Sequence, residues 1–385
     1  MTTPHDEFAN IRPYHDDEVH PVLNRLAEDP ELAQAILRFK FPRWASTPLI
    51  APFLSWLVRK NLRRLLGRAH SIRDVQLYVE AYMARMLAKS TDGMTVDGIE
   101  KLDPQQTYLF VSNHRDIAMD PALVNYALHT RGMNTVRIAI GDNLLKKPYV
   151  SDLMRLNKSF IVQRSAKGVR QVMAAFQQLS RYIDFSLHQE HHSIWIAQRE
   201  GRAKNGIDRT DPAIIKMFCM AKKKELPFSE IIQQLNIVPV AISYEYDPLG
   251  IEKARELVMK QQEGSYAKGE FEDMISIAQG IAGYKGRVHV AFGEPLQADL
   301  TDADAVAQAI DAQIARLYRL FPSHYLALEA LGELQDIALP DFDLRYRAAF
   351  NQQLAACPEA YQHQWLDMYA NPVKNYFNRL DDPTH

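Results

Sequence analysis

His114 opens the run His114-Arg115-Asp116-Ile117-Ala118-Met119-Asp120-Pro121, directly after the β-rich segment TYLFVSN that begins at Thr107. A neutral imidazole, with an ordinary pKa near about 6.5, accepts a proton at cellular pH, and does so best when a carboxylate holds its other ring nitrogen. Two carboxylates lie within reach, Asp116 and Asp120. Asp120 also precedes Pro121 and an apolar helical run, the signature of a helix N-cap followed by proline in the first turn. Capping a helix and orienting an imidazole are compatible jobs.

Two further clusters offer charge to an anion. After SFIVQ come Arg164, Ser165 and Lys167; Ser165 can cap a helix starting near Lys167, so that free amides with Arg164, Lys167 and Arg170 would surround a phosphate. After SIWIAQ come Arg199, Glu200, Gly201, Arg202 and Lys204, a tight turn whose glycine permits close backbone approach, with cations for a phosphate and a carboxylate for a hydroxyl. Each cluster alone reads as a solvated loop. Together with a histidine at one sheet edge they read as a site.

The elements that must position these residues follow from periodicity. Residues up to about 95 are helical, with apolar positions at helical spacing in VLNRLAEDPELAQAILRF and IRDVQLYVEAYMARML. Short β-rich runs then begin at Thr107, Thr135, Ser159, Ser193, Ile237 and Arg287, with helices expected at PALVNYALH, VRQVMAAFQQLSRYIDF and PAIIKMFCMAKK. This alternation predicts an α/β fold with a mostly parallel sheet flanked by helices. Ligands of such sheets lie beyond the C-terminal ends of the strands, where the three clusters should converge on one edge. The organisation expected is a helical region over 1–95, an α/β domain over 96–300 and a helical region over 301–385.

Composition bounds the function. Lys plus Arg at 45 against Asp plus Glu at 47 leaves a net charge of -2, no global signature of a nucleic-acid binder. Two cysteines, Cys219 and Cys357, lack metal-ligand spacing and cannot form a disulfide framework, which fits a reducing compartment. The acidic start MTTPHDEF lacks the apolar core of a secretory signal, so a cytoplasmic location is expected. No segment offers the roughly 20 apolar residues of a spanning helix. Within 44–68, however, WASTPLIAPFLSWLV is broken by Pro48 and Pro52 and followed by Arg59, Lys60, Arg63, Arg64 and Arg68. An apolar patch beside a basic one suits a peripheral segment on the cytoplasmic face of an anionic membrane, and equally a helix pair packed on the fold.

Three other chemistries fail on spacing. His114-Arg115-Asp116 resembles a kinase catalytic loop, but Pro121 stands where its asparagine belongs and no glycine-rich loop is present. The histidines 188, 191 and 192 have no neighbouring cysteine and read as solvated, so no metal is expected. A serine hydrolase would need a Gly-x-Ser-x-Gly elbow.

Asn113-His114 with Asp120-Pro121, then Phe160-Ile161-Val162-Gln163-Arg164-Ser165, then Glu200-Gly201-Arg202, then Val238-Pro239-Val240 resemble, in order, the four blocks of the glycerolipid acyltransferases, typified by 1-acylglycerol-3-phosphate acyltransferase. The resemblance covers roughly residues 95 to 300. It implies transfer of a fatty acyl group from acyl-CoA or acyl-carrier protein, a substrate rather than a cofactor, to the hydroxyl of a lysophospholipid or glycerol phosphate. Carried over by position, His114 is the base and Asp120 its orienter. Arg164, Glu200 and Gly201 would bind the acceptor, with Lys167 and Arg202 of the same anion clusters counted as substrate-binding beside them, and Pro239 would shape the donor side. No covalent acyl-enzyme is implied. The family separates histidine and aspartate by four residues, whereas five separate His114 from Asp120. Either the extra residue bulges out or Asp116 has taken the role. The third block departs too, with Ala197-Gln198-Arg199-Glu200-Gly201-Arg202 in place of Phe-Pro-Glu-Gly-Thr-Arg. A divergent enzyme and a non-catalytic lipid-binding protein on the same fold both fit these departures.

Overall fold

Asp29 and Pro30 divide the first apolar-periodic run. The Asp29 carboxylate accepts the Leu32 amide at 2.9 Å and Pro30 takes the first helical position, so the helix Asp16–Glu28 ends where Pro30–Lys40 begins. The computed structural model describes residues 7–380 except 42, 45, 49, 268, 270, 271, 298, 335 and 336. The first six residues of the acidic start, and Ala45 and Leu49 of the apolar segment, therefore lie outside the described residues.

Seven strands are present among the described residues: β1 (Met94–Asp97), β2 (Leu109–Ser112), β3 (Arg137–Gly141), β4 (Ser159–Val162), β5 (Ile194–Ala197), β6 (Ile237–Tyr244) and β7 (Val288–Phe292). Six coincide with the expected runs. β1 was not expected, because its four residues alternate between half-buried and exposed and leave no apolar run. The expected helices are found at Met119–Thr130, Val169–His188 and Pro212–Phe218.

The chain packs as two compact units that do not follow the three consecutive regions expected. One comprises Met1–Tyr82 and Arg137–Gln178, the other Met83–Val136 and Leu179–His385. The reason is that the chain leaves the first unit and returns to it, so proximity in space cuts across sequence order.

In the first unit, β3 and β4 pair in parallel, Ile138 opposite Ser159, around the connecting helix Pro148–Leu156. Its core joins Val19, Val22, Leu23 and Leu26 to Tyr149 and Leu156. Asp152 ties that helix down, accepting from the Tyr14 hydroxyl at 2.7 Å and from the Arg25 Nε at 2.8 Å. The helix Ala51–Leu66 packs beside Asp16–Glu28 yet buries none of its residues fully.

In the second unit the strand order is β1-β7-β6-β2-β5. All neighbours run parallel except β6 and β7. β2, β6 and β7 are buried along their whole length, as expected of strands covered on both faces. β2 lies between β6 and β5, so the loops that leave the C-terminal ends of β2 and β5 emerge at the same edge. The C-terminal helices belong to this unit: Glu359–Leu380 packs on Pro322–Ala330 and Gly250–Glu263 through Trp365, Tyr369, Leu326 and Val373.

Candidate active site

β2 ends at Ser112, and the next side chain fastens the turn. Asn113 donates from Nδ2 to the Ile242 carbonyl at 2.9 Å and accepts the Ile242 amide on Oδ1 at 2.8 Å. The His114 carbonyl accepts the Ala203 amide at 2.8 Å, which binds the third-block loop to the turn. The imidazole lies against the edge of Trp195 with centroids 5.7 Å apart, and Trp195 in turn donates to the Ser112 hydroxyl at 3.0 Å. His114 Nδ1 stands 2.8 Å from Asp120 Oδ2, and the side chain keeps 15% of its surface exposed. In the neutral ring, a carboxylate facing Nδ1 favours the tautomer with the proton there, which leaves Nε2 as the acceptor.

Asp120 is fully buried and fully bonded. Its Oδ2 also accepts the Arg115 and Asp116 amides at 2.6 and 2.9 Å, and its Oδ1 accepts the Tyr244 hydroxyl at 2.7 Å. Burial on its own would raise this carboxyl; the His114 hydrogen bond and charge, then Tyr244 and the backbone donors, hold it below the ordinary carboxylate value. It is a charged partner for His114 at neutral pH.

Asp116 does a different job. Its Oδ1 accepts the Ala118 and Met119 amides at 3.0 and 2.8 Å, closing the start of the helix Met119–Thr130. The capping expected of Asp120 is thus performed by Asp116, because Asp120 stands inside the first turn. The second oxygen of Asp116 is buried without a hydrogen-bond partner among the described residues. It lies over Gly280, where a Cβ would come within 2.0 Å of it. Burial and the neighbouring Asp120 charge push the Asp116 carboxyl up.

The third-block loop begins with the Gln198 amide donating to the Ser112 carbonyl at 2.8 Å. Gly201 takes a left-handed φ of 77°, as the tight turn requires, and Glu200 beside it is exposed. Arg199 Nε, Arg202 Nη1 and both amide atoms of Gln198 are buried with no hydrogen-bond partner among the described residues. Arg115 reaches Asp208 at 2.7 Å and the Gly206 carbonyl at 3.2 Å, Lys204 pairs with Glu256, and Asn371 of the C-terminal helix donates to the Asn205 carbonyl at 2.7 Å. Pro239 sits in the buried middle of β6, opposite Val111.

Arg164 and Lys167 belong to the first unit. The Arg164 and Ser165 amides donate to Asp142 Oδ1 at 3.0 and 3.2 Å, and the Ser165 hydroxyl bonds Asp142 as well. A carboxylate thus occupies the amides expected to meet a phosphate, and the helix starts at Val169, too late for Ser165 to cap it. Lys167 is exposed, and its amide donates to Gln171 at 3.4 Å.

Among the described residues no group of three or more His, Cys, Asp or Glu could hold a metal ion. Both ring nitrogens of His188 are engaged, by Asp184 and by the Gln234 carbonyl. Cys219 and Cys357 are buried, and burial pushes the Cys219 thiol up to about 11, away from a reactive thiolate.

Sequence reasoning missed Tyr244, five residues past Pro239, and Gln198. Neither carries a spacing signal: one reads as the last residue of an apolar strand, the other as a loop residue.

Residues 93–243 match the family model described as Acyltransferase. The matched stretch carries His114, Asp120 and the third-block loop, and the match supports an acyltransferase activity for this part of the chain. No curated protein matches the chain. Among solved structures it is similar to the 1-acyl-sn-glycerophosphate (LPA) acyltransferase PlsC from Thermotoga maritima, at 16% identity and a TM-score of 0.39, over 75% of this chain and 95% of that one. That likeness is too loose to assign any residue.

Proposed function

We propose that this protein transfers a fatty acyl group from acyl-CoA or acyl-carrier protein to the hydroxyl of a phosphate-bearing glycerolipid, with His114 as general base. The observation that carries the reading is the His114–Asp120 pair on an acyltransferase-family domain, with Nε2 left to accept a proton. The acceptor O–H gives its proton to Nε2 as its oxygen attacks the thioester carbonyl carbon. The tetrahedral intermediate collapses, the C–S bond breaks, and the imidazolium returns the proton to the departing thiolate. Asp120 steadies the imidazolium throughout. The products are an ester and a free thiol, and neither buried cysteine takes part.

Arg199 Nε and Arg202 Nη1 are donors without a partner among the described residues, the condition expected of groups that wait for a ligand phosphate. Gly201 and Glu200 line the same turn and would meet the acceptor's glycerol. Pro239 would act on the donor side only by stiffening β6. The reading makes no use of Arg164 and Lys167, whose neighbouring amides are already bonded to Asp142.

The same reading puts the protein peripherally on the cytoplasmic face of a membrane. Among the described residues, every strongly exposed large apolar side chain lies in the first unit apart from Met274, Ile275, Tyr284 and Leu344. Phe53 and Trp56 are exposed on the helix Ala51–Leu66, which has no acidic residue and carries Arg59, Lys60, Arg63 and Arg64. That pairing suits an anionic lipid surface.

The test is acyl transfer by the purified protein on vesicles, from acyl-CoA and acyl-carrier-protein donors to a panel of lysophospholipid and glycerol phosphate acceptors. Ester product with release of one thiol per ester supports the reading and names the acceptor. Silence from folded, vesicle-bound protein across the panel contradicts it.

A further inference from the structure

The two oxygens of Asp120 are held differently. Oδ2 meets three donors, His114 Nδ1 and the amides of Arg115 and Asp116, while Oδ1 meets the Tyr244 hydroxyl at 2.7 Å. Tyr244 is the last residue of β6, the strand beside β2, so its ring is carried by the buried sheet and not by the turn that carries His114. Tyr244 is 5% exposed and Asp120 is wholly buried, so water cannot readily replace the hydroxyl.

We propose that Tyr244 is a positioning residue for acyl transfer, fixing the rotation of the Asp120 carboxylate so that Oδ2 stays on His114 Nδ1 and Nε2 stays free of its proton. Three donors on one oxygen fix where that oxygen is. The fourth, on the other oxygen, fixes the plane of the group. Burial and the Asp120 charge keep the phenol protonated, so it remains a donor over the working pH range. A carboxylate turned out of plane would weaken the Nδ1–H bond and let His114 populate the tautomer with the proton on Nε2, which cannot act as a base.

The inference rests on His114 being the base, and the experiment separates the two. Tyr244→Phe removes the hydroxyl and keeps the ring. In the full-length protein we expect kcat to fall about 10- to 100-fold with both KM values unchanged, the scale of one hydrogen bond to a charged group. With the histidine ring nitrogens labelled, NMR of the wild type should show His114 protonated on Nδ1 alone, and Tyr244→Phe should show both tautomers. Wild-type turnover in the variant, or lost turnover with an unchanged His114 signal, overturns the inference. If Tyr244→Phe does not fold, replacing Tyr244 with 3-fluorotyrosine keeps the ring and strengthens the donor. The His114 Nδ1 proton signal should then shift, and a signal identical to wild type overturns the inference. Wild-type turnover in His114→Ala would instead refute the base, whatever the Tyr244 variants do.

Discussion

Asp116 donates its amide to the Asp120 carboxylate at 2.9 Å, while its own carboxylate caps the helix on which Asp120 stands. The two aspartates are therefore not rivals for His114. The extra residue between histidine and aspartate is taken up in a turn that Asp116 closes, and the turn delivers Asp120 Oδ2 to Nδ1.

Their substitutions should separate accordingly. Asp120→Asn leaves a neutral amide against Nδ1 and should lower kcat by about 10³- to 10⁴-fold with the fold kept, as in other histidine–aspartate pairs. Asp116→Asn keeps a capping oxygen and should hold kcat within about tenfold of wild type. Steady-state kinetics beside thermal melts decide; equal losses would contradict the division of labour.

Asp116 also sets a pH dependence. Its folded pKa is raised, so the wild type gains stability as pH falls through that value and loses it as pH rises. A neutral Asn escapes the burial penalty. Asp116→Asn should be more stable than wild type at pH 7, with the gap shrinking on acidification, as read by urea unfolding. A gap that widens in acid would contradict this.

Gly280 should tolerate no side chain. A Cβ there would meet Asp116 Oδ2 at 2.0 Å, so Gly280→Ala should destabilise by about 1 to 3 kcal/mol despite alanine's helix preference. Most of that loss should vanish when the substitution is made in an Asp116→Ala background. Equal losses in both backgrounds would place the clash elsewhere.

His324 gives a second pH-sensitive group, of opposite sign. It is fully buried, accepts the Phe321 amide at 2.8 Å, and is pushed down to about 3 by burial first and by the Arg115 charge second. The unfolded chain binds the proton below about pH 6.5, so this contribution is complete above that pH. It is lost as pH falls toward 3, at up to about 1.4 kcal/mol per unit. Between pH 7 and 5, His324→Gln should lose about 2 kcal/mol less stability than wild type. Parallel losses would refute the assignment.

On the lipid side, neutralising Lys60 or Arg64 (Lys60→Gln, Arg64→Gln) should weaken binding to anionic vesicles about fivefold each, as judged by co-sedimentation. Phe53→Ala with Trp56→Ala should weaken it further in anionic and neutral vesicles alike. Unchanged binding would return this helix to an ordinary solvated face.

Much of this arrangement could be read from residue order. β2, β5 and β6 stand out as apolar runs because parallel strands are buried on both faces, and His114 is conspicuous because it lies just past the end of one. What escaped is tertiary. Tyr244 reaches Asp120 across 124 positions, Asp142 takes the Ser165 amide across 23, and Asn371 reaches Asn205 across 166. Local periodicity contains no term for such partners. The choice between Asp116 and Asp120 also needed the path of the turn, since both lie within side-chain reach of His114 in sequence.

The most direct measurement is the turnover of purified His114→Ala beside wild type, on the acceptor that the panel identifies, with donor and acceptor affinities measured separately. A general base at this position predicts kcat lower by about 10² to 10⁴ with both affinities and the melting temperature retained. Turnover within a few fold of wild type would contradict it.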